Sequence, residues 1–222
     1  MSNELITLGI QDLGLGITGE ELARLDLFLQ EMARWNRVHN LTAIEGEQAA
    51  IRLHLIDSIA ILPAMRTFLH VTSPKIADLG SGGGLPAIPI ALLQSDWRLT
   101  LIEAVRKKTA FLQHVRGKLQ LKNIDILSER VEIVALQQPH QFDAVISRAF
   151  TNLSRFLDLS LPLLKPGGLV FAMKSKRADE EMESVNSQDW ELLGDVPIHI
   201  PNVAVERRLL VLSPMRKSPT TL

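Results

Sequence analysis

Residues 76–90 read IADLGSGGGLPAIPI, and the fold turns on this stretch. An apolar run ending at Leu79 is followed by four glycines in five positions, then by Pro86 and Pro89 at the head of a second apolar run. A tight structural turn needs one or two glycines. Four in five positions strip Cβ atoms from a whole loop, so the backbone can turn through positive φ and come close to a ligand. Pro86 suits the opening turn of a helix, where a missing N–H breaks no intrahelical bond. The stretch therefore predicts a buried strand, a ligand-cradling loop at Gly80, Gly82 and Gly84, and a helix start.

Outward from the loop, short runs rich in Ile, Val and Leu recur at 75–80, 99–104, 124–127, 142–147 and 169–174. Helix-length segments near 86–94, 105–120, 152–164 and 177–190 separate them. Such an alternation predicts an α/β domain with a mostly parallel sheet covered by helices on both faces. KPGG (165–168) reads as a turn ending a helix. DVPIHIPN (195–202) and VERRLLVLSP (205–214) lie too close together for a crossover, so they predict an antiparallel hairpin at the sheet. Ahead of the sheet, TGEELARLDLFLQEMARWNRV (18–38) opens with Thr18 and Glu21 in capping-box spacing and puts Leu22, Leu25, Leu29 and Met32 on one face. A second helical stretch is expected over 47–69.

The chain has 222 residues, 46% of them hydrophobic, enough for one sizeable core. It contains no cysteine, which excludes disulfides, zinc–thiolate and iron–sulfur sites and any cysteine nucleophile, and fits a reducing, cytoplasmic setting. The N-terminus lacks a basic region ahead of an apolar block, and no later segment approaches 18 uninterrupted apolar residues, so export and membrane spanning are not expected. A net charge of −1 argues against a nucleic-acid binder working by bulk attraction. The balance hides segregation: 106–122 carries six Lys or Arg and no acid, and KSKR (174–177) is wholly basic.

In an open α/β sheet the ligand sits beyond the carboxyl ends of the strands. The dinucleotide pattern G-x-G-x-x-G fails from Gly80, because position 85 is Leu, and from Gly82, because position 87 is Ala. The phosphate-loop pattern is absent. G-x-G-x-G with an acid two residues ahead, Asp78, is the form common among S-adenosylmethionine-dependent methyltransferases. Glu103 follows the second strand, about 20 residues past the glycines, where a carboxylate can accept from both hydroxyls of an adenosine ribose. NAD carries the same ribose, so Glu103 does not separate the two. The side-chain inventory favours the methyl donor: there is no tyrosine for a Tyr-Lys relay, and no evident His-carboxylate pair for hydride chemistry past the fourth strand.

Together, WNRVHNLTAI (35–44), RLHLIDSIAIL (52–62), DLGSGGGLPAIPIAL (78–92), RKKTAFLQHV (106–115), SERVE (128–132), FDAVISRAF (142–150) and LLKPGGLVFAMK (163–174) resemble the RsmG family, also called GidB. These are bacterial methyltransferases that modify guanine N7 in 16S ribosomal RNA. Departures are mild: Ala87 and Ser175 stand where glycine is usual, and Glu103 where Asp is common. The resemblance implies a Rossmann-like class I methyltransferase with a seven-stranded sheet, an N-terminal helical extension over 1–70 and an S-adenosyl-L-methionine-binding domain over 71–222. It implies cofactor contacts at Gly80, Leu85, Val131, Glu132 and Arg148, the last also a catalytic candidate at the junction with substrate.

Guanine N7 offers an unshared pair and no proton, so its methylation needs alignment and no general base. A chain without cysteine or an obvious base suits that chemistry. The substrate is then 16S rRNA or the small ribosomal subunit, met by a monomer without metal, and Arg34, Arg37, Arg52, Lys107, Lys174 and Lys176 are candidates for a phosphate-reading rim. Trp35, His39 and His54 are expected to pack rather than react. An NAD(P) oxidoreductase, a non-catalytic ribosome-binding module and a small-molecule methyltransferase are the competing readings.

Overall fold

The computed structural model describes residues 2–148, 150–175, 177–204 and 206–215. Helix α1 (Ser2–Asp12), which lies within the helical extension expected over 1–70 although no separate helix was assigned there, buries Ile6, Gly9 and Ile10. Helix α2 (Gly19–His39) starts at the expected capping box: Thr18 Oγ1 accepts from Glu21 N–H at 3.2 Å, and Glu21 Oε2 accepts from Thr18 N–H at 2.7 Å.

The expected single helix over 47–69 is divided. It runs as α3 (Glu47–Ala50), a π-helical stretch (Ile51–Ile56), α4 (Asp57–Ile59) and α5 (Leu62–Phe68). Pro63 explains the last break, because its ring cannot share space with the carbonyl four residues back in a continuing helix. The π stretch lies where the Arg148 guanidinium crosses the helix and donates to Leu53 O at 2.9 Å. Such π turns are frequent at functional sites.

The rest of the chain alternates as expected through β1 (Lys75–Leu79), α6 (Ala87–Leu93), β2 (Arg98–Ile102), α7 (Arg106–Lys118), β3 (Ile124–Leu127), α8 (Val131–Gln137), β4 (Phe142–Arg148), α9 (Leu153–Ser160), β5 (Leu164–Lys174), α10 (Ala178–Glu183), β6 (Trp190–Pro197) and β7 (Arg208–Pro214). The seven strands lie in the order β3-β2-β1-β4-β5-β7-β6, the first five parallel and β7 antiparallel to both neighbours. Strand order reverses between β1 and β4, which opens a crevice at their carboxyl ends.

Three boundaries differ from expectation. KPGG is inside β5: Gly167, at φ +80°, and a register shift between Phe142 and Ala144 let the chain bulge and remain paired. The helix expected over 177–190 stops at Glu183, where an Asn turn takes over, with Gln188 N–H donating to Asn186 Oδ1 at 3.0 Å. The hairpin's first strand begins at Trp190 rather than 195. Its bulge between Leu192 and Gly194 works because a Cβ on Gly194 would lie 2.6 Å from the Phe68 ring.

Side-chain alternation divides the core between the two sheet faces. Ile76, Leu99, Leu101, Ala144 and Ile146 face a cluster shared with α1, α2, the 51–65 helices, α6 and α7. Ala77, Leu79, Ile102 and Val145 face the opposite cluster, with α8 and α9. Phe28, Phe111, Phe156 and Phe171 are fully buried, each contributing about 1.5–3 kcal/mol through area removed from water.

Candidate functional site

The glycine loop leaves β1 at the crevice. Gly80, Gly82 and Gly84 have φ of +67°, +55° and +81°. A Cβ on Gly80 would lie 2.2 Å from Phe150 Cδ2, and one on Gly84 2.3 Å from Ile88 Cδ1. Both backbone strain and crowding thus exclude a side chain at these two positions. Gly80 and Ser81 N–H groups both donate to Ile102 O, tying the loop to the end of β2. Pro86 stands immediately ahead of α6, and Leu85 beside it is buried.

Glu103, 6% exposed, faces the loop from the end of β2. Its Oε2 accepts from Gly82 N–H at 2.9 Å and its Oε1 from Val105 N–H at 2.8 Å. Each oxygen keeps a lone pair for a further donor such as a ribose hydroxyl. Asp78 is 1% exposed, and neither carboxylate oxygen has a hydrogen-bond partner. Ser81 Oγ is committed to Asp78's own carbonyl oxygen at 2.9 Å. Burial pushes the Asp78 carboxyl up to about 8, with the Arg148 charge opposing. An orphaned buried acid is costly unless a ligand satisfies it. The residues fit S-adenosyl-L-methionine: its α-ammonium or sulfonium would give the Asp78 carboxyl a cationic partner, and its adenosine ribose would donate to Glu103.

Val131 and Glu132 open α8 past β3. Val131 is buried, whereas the Glu132 carboxylate turns outward to Arg155 Nη2 at 2.7 Å. A contact from position 132 toward the crevice therefore falls to its backbone.

Arg148 is the last residue of β4. Its Nη1 donates to Leu53 O at 2.9 Å and to Asp57 Oδ2 at 3.0 Å, while Arg207 Nε donates to the other Asp57 oxygen at 3.0 Å. Asp57 is 1% exposed, so one buried acid holds two arginines at the crevice. His54 completes the group: Nδ1 lies 3.4 Å from Arg148 Nη2 and Nε2 lies 2.8 Å from Thr42 Oγ1. Burial, then the Arg148 charge, lowers the His54 pKa to about 4, so its ring is neutral at pH 7. Asp57, His54 and Arg207 were not picked out as site residues from sequence. The available signal was the pair of matching segments 35–44 and 52–62, which meet through Thr42 and His54.

The candidate rim residues separate. Arg37 and Lys107 are exposed, Arg52 is half-buried, and Arg34 is exposed with Glu31 3.7 Å away. Lys174 is 11% exposed, and its ammonium is held by Glu181 Oε2 at 2.7 Å and Thr151 O at 3.1 Å, so it is not a free phosphate reader. Lys176 lies outside the described residues. Trp35 packs against Phe111 and His114 with ring centroids 5.6 and 5.3 Å apart, and against His39 at 5.1 Å. Arg37 also lines a cavity of about 1050 Å³ with Met32, Asn36, Asn40, Thr42 and His54. Among the described residues no His, Asp and Glu cluster could hold a metal, and no helix is long and apolar enough to cross a membrane.

Ribosomal RNA small subunit methyltransferase G of Polynucleobacter asymbioticus is 73% identical over 219 residues, 99% of each chain. The protein of the same name from Bordetella avium is 39% identical over 213 residues, 96% of this chain and 92% of that one. In fold, the chain is similar to M. jannaschii TYW2 in complex with AdoMet, with a TM-score of 0.51, 18% identity and coverage of 71% and 74%. The model for GidB, rRNA small subunit methyltransferase G, matches residues 21–211, and the chain belongs to that family.

Proposed function

We propose that this protein transfers a methyl group from S-adenosyl-L-methionine to N7 of a guanosine in a loop of 16S rRNA. It acts on the small ribosomal subunit as a cytoplasmic monomer in which residues 1–70 extend the 71–222 methyltransferase domain. The observation that carries this reading is identity of 73%, end to end, with a ribosomal RNA small subunit methyltransferase. A site without an evident general base supports N7, an atom that carries no proton.

The cofactor supplies an electrophilic methyl carbon on a positively charged sulfur. The chain's own residues bind, orient and exclude water. Gly80 and Gly82 let the loop approach the donor, Leu85 and Val131 offer apolar walls, Glu103 accepts from the ribose, and Asp78 meets a cation. Arg148 holds the acceptor side. Neither Arg148, a guanidinium with no acceptor atom, nor His54, buried, neutral and already engaged at both nitrogens, is suited to remove a proton. Guanine N7 carries no proton to remove, so alignment suffices, and orientation can supply roughly 7–11 kcal/mol of a transfer barrier.

Labelled methyl transfer to small subunits, naked 16S rRNA and a metabolite pool, assayed side by side, tests the reading. Label in RNA at a guanosine that then cleaves under borohydride and aniline supports it. Label confined to metabolites, or RNA label without cleavage, overturns it.

A further inference from the structure

A cavity of about 450 Å³ opens beyond the ends of β4 and β5, lined by Leu53, Asp57, Arg148, Lys174, Glu181 and Arg207 among others. Its size falls within the ~300–1,000 Å³ of small-molecule sites. Its two acids differ in one respect. Both Asp57 oxygens are taken by arginines. Glu181, 25% exposed, spends Oε2 on Lys174 Nζ at 2.7 Å and Leu153 N–H at 2.6 Å, and Oε1 makes no hydrogen bond among the described residues. The cavity is therefore lined by an acid whose Oε2 is fixed by a nearly buried lysine and a backbone N–H and whose Oε1 is left to accept from a ligand.

We propose that this cavity seats the acceptor guanine and that Glu181 selects it, its free Oε1 accepting from the N1–H and 2-amino edge. The proposal rests on the N7 reading above. Guanine presents donors at N1 and N2, whereas adenine presents an acceptor at N1 that a carboxylate repels. Arg148 meets the opposite edge at O6. The usual two-pronged arginine contact to O6 and N7 would cover the electron pair that must react. Here Nη1 is committed to Leu53 O and Asp57 and Nη2 lies 3.4 Å from His54 Nδ1, so the Nη1–Nη2 fork is not free to take O6 and N7 together. As N7 takes on the methyl group its positive charge acidifies N1–H, so the bond to Glu181 strengthens on the way to the transition state and accelerates transfer.

Glu181→Gln is a directed test. The two donors on Oε2 compel the amide oxygen to that position, which turns the amide NH₂ toward the N1–H of guanine. Small subunits are reconstituted with guanosine, inosine or 7-deazaguanosine at the mapped acceptor position, and transfer and S-adenosylhomocysteine binding are measured for both proteins. The expected result is a kcat on guanosine at least ~10-fold to 100-fold lower in the variant, with unchanged product affinity showing that the variant is folded. Wild type should prefer guanosine to inosine, which lacks the 2-amino group, and the variant should not. Wild-type transfer that is equal on guanosine and inosine overturns the assignment without any appeal to the variant's folding, as does a fully active variant. Retained transfer to 7-deazaguanosine overturns the N7 reading itself, whereas its loss beside an inosine-indifferent wild type overturns the Glu181 assignment alone.

Discussion

The two sides of the crevice are built in opposite ways. The glycine-loop side comes from one short stretch, 78–85, together with Glu103, and its hydrogen bonds join strands adjacent in sequence. The acceptor side is assembled from distant parts: Arg148 and Asp57 are 91 positions apart, and Arg207 and Asp57 are 150 apart. A donor site can thus be carried as a nearly contiguous cassette, while an acceptor site depends on the whole fold closing correctly. Changes on the first side should strike donor binding, and changes on the second should strike transfer.

The largest effect is expected from Gly80→Ala. The new Cβ meets the Phe150 ring at 2.2 Å on a backbone of positive φ, so folding stability should fall by about 1–3 kcal/mol and calorimetric binding of S-adenosylhomocysteine should disappear. Retained binding would break the comparison at its stronger side. Arg148→Ala comes next. It should abolish methyl transfer and lower stability by about 1–3 kcal/mol, measured by urea unfolding, because Asp57 Oδ2 and Leu53 O lose their donor.

Asp78→Asn sharpens the comparison through pH. The folded state holds the Asp78 carboxyl at about 8 against an ordinary 3.8, so it keeps a proton that the unfolded chain releases. That contribution is fully present below about pH 4 and is lost as pH rises toward 8. Wild-type stability should decline across this window, and the variant should not show this component. Donor-side binding near pH 7 should release a proton in wild type and none in the variant, read by calorimetry in buffers of different ionisation enthalpy. The smallest effect belongs to Glu132→Ala. Its exposed pair with Arg155 contributes about 0.2–1 kcal/mol, and product affinity should be unchanged if position 132 acts through its backbone.

What the sequence disclosed follows the same division. The strand, loop and helix start at 76–90, the alternation behind them, Glu103 and the Thr18–Glu21 capping box were legible because each is local. The partnership of Asp57 with Arg148 and Arg207 was not, because no periodicity links positions so far apart. Lys174 was read as a phosphate contact since its burial and its bond to Glu181 appear only once α10 folds back over β5. The helix expected over 177–190 stops at Glu183, short of Asn186, whose side chain offers the backbone a competing turn. The division of 47–59 by a π turn had no local signal, because the Arg148 guanidinium that crosses it arrives from a strand residue 95 positions beyond Leu53.

The most direct measurement is a calorimetric titration of the purified protein with S-adenosylhomocysteine and, separately, with NADH. One-to-one binding of the first and no heat from the second are expected. A protein that ignores S-adenosylhomocysteine, or that prefers NADH, contradicts it.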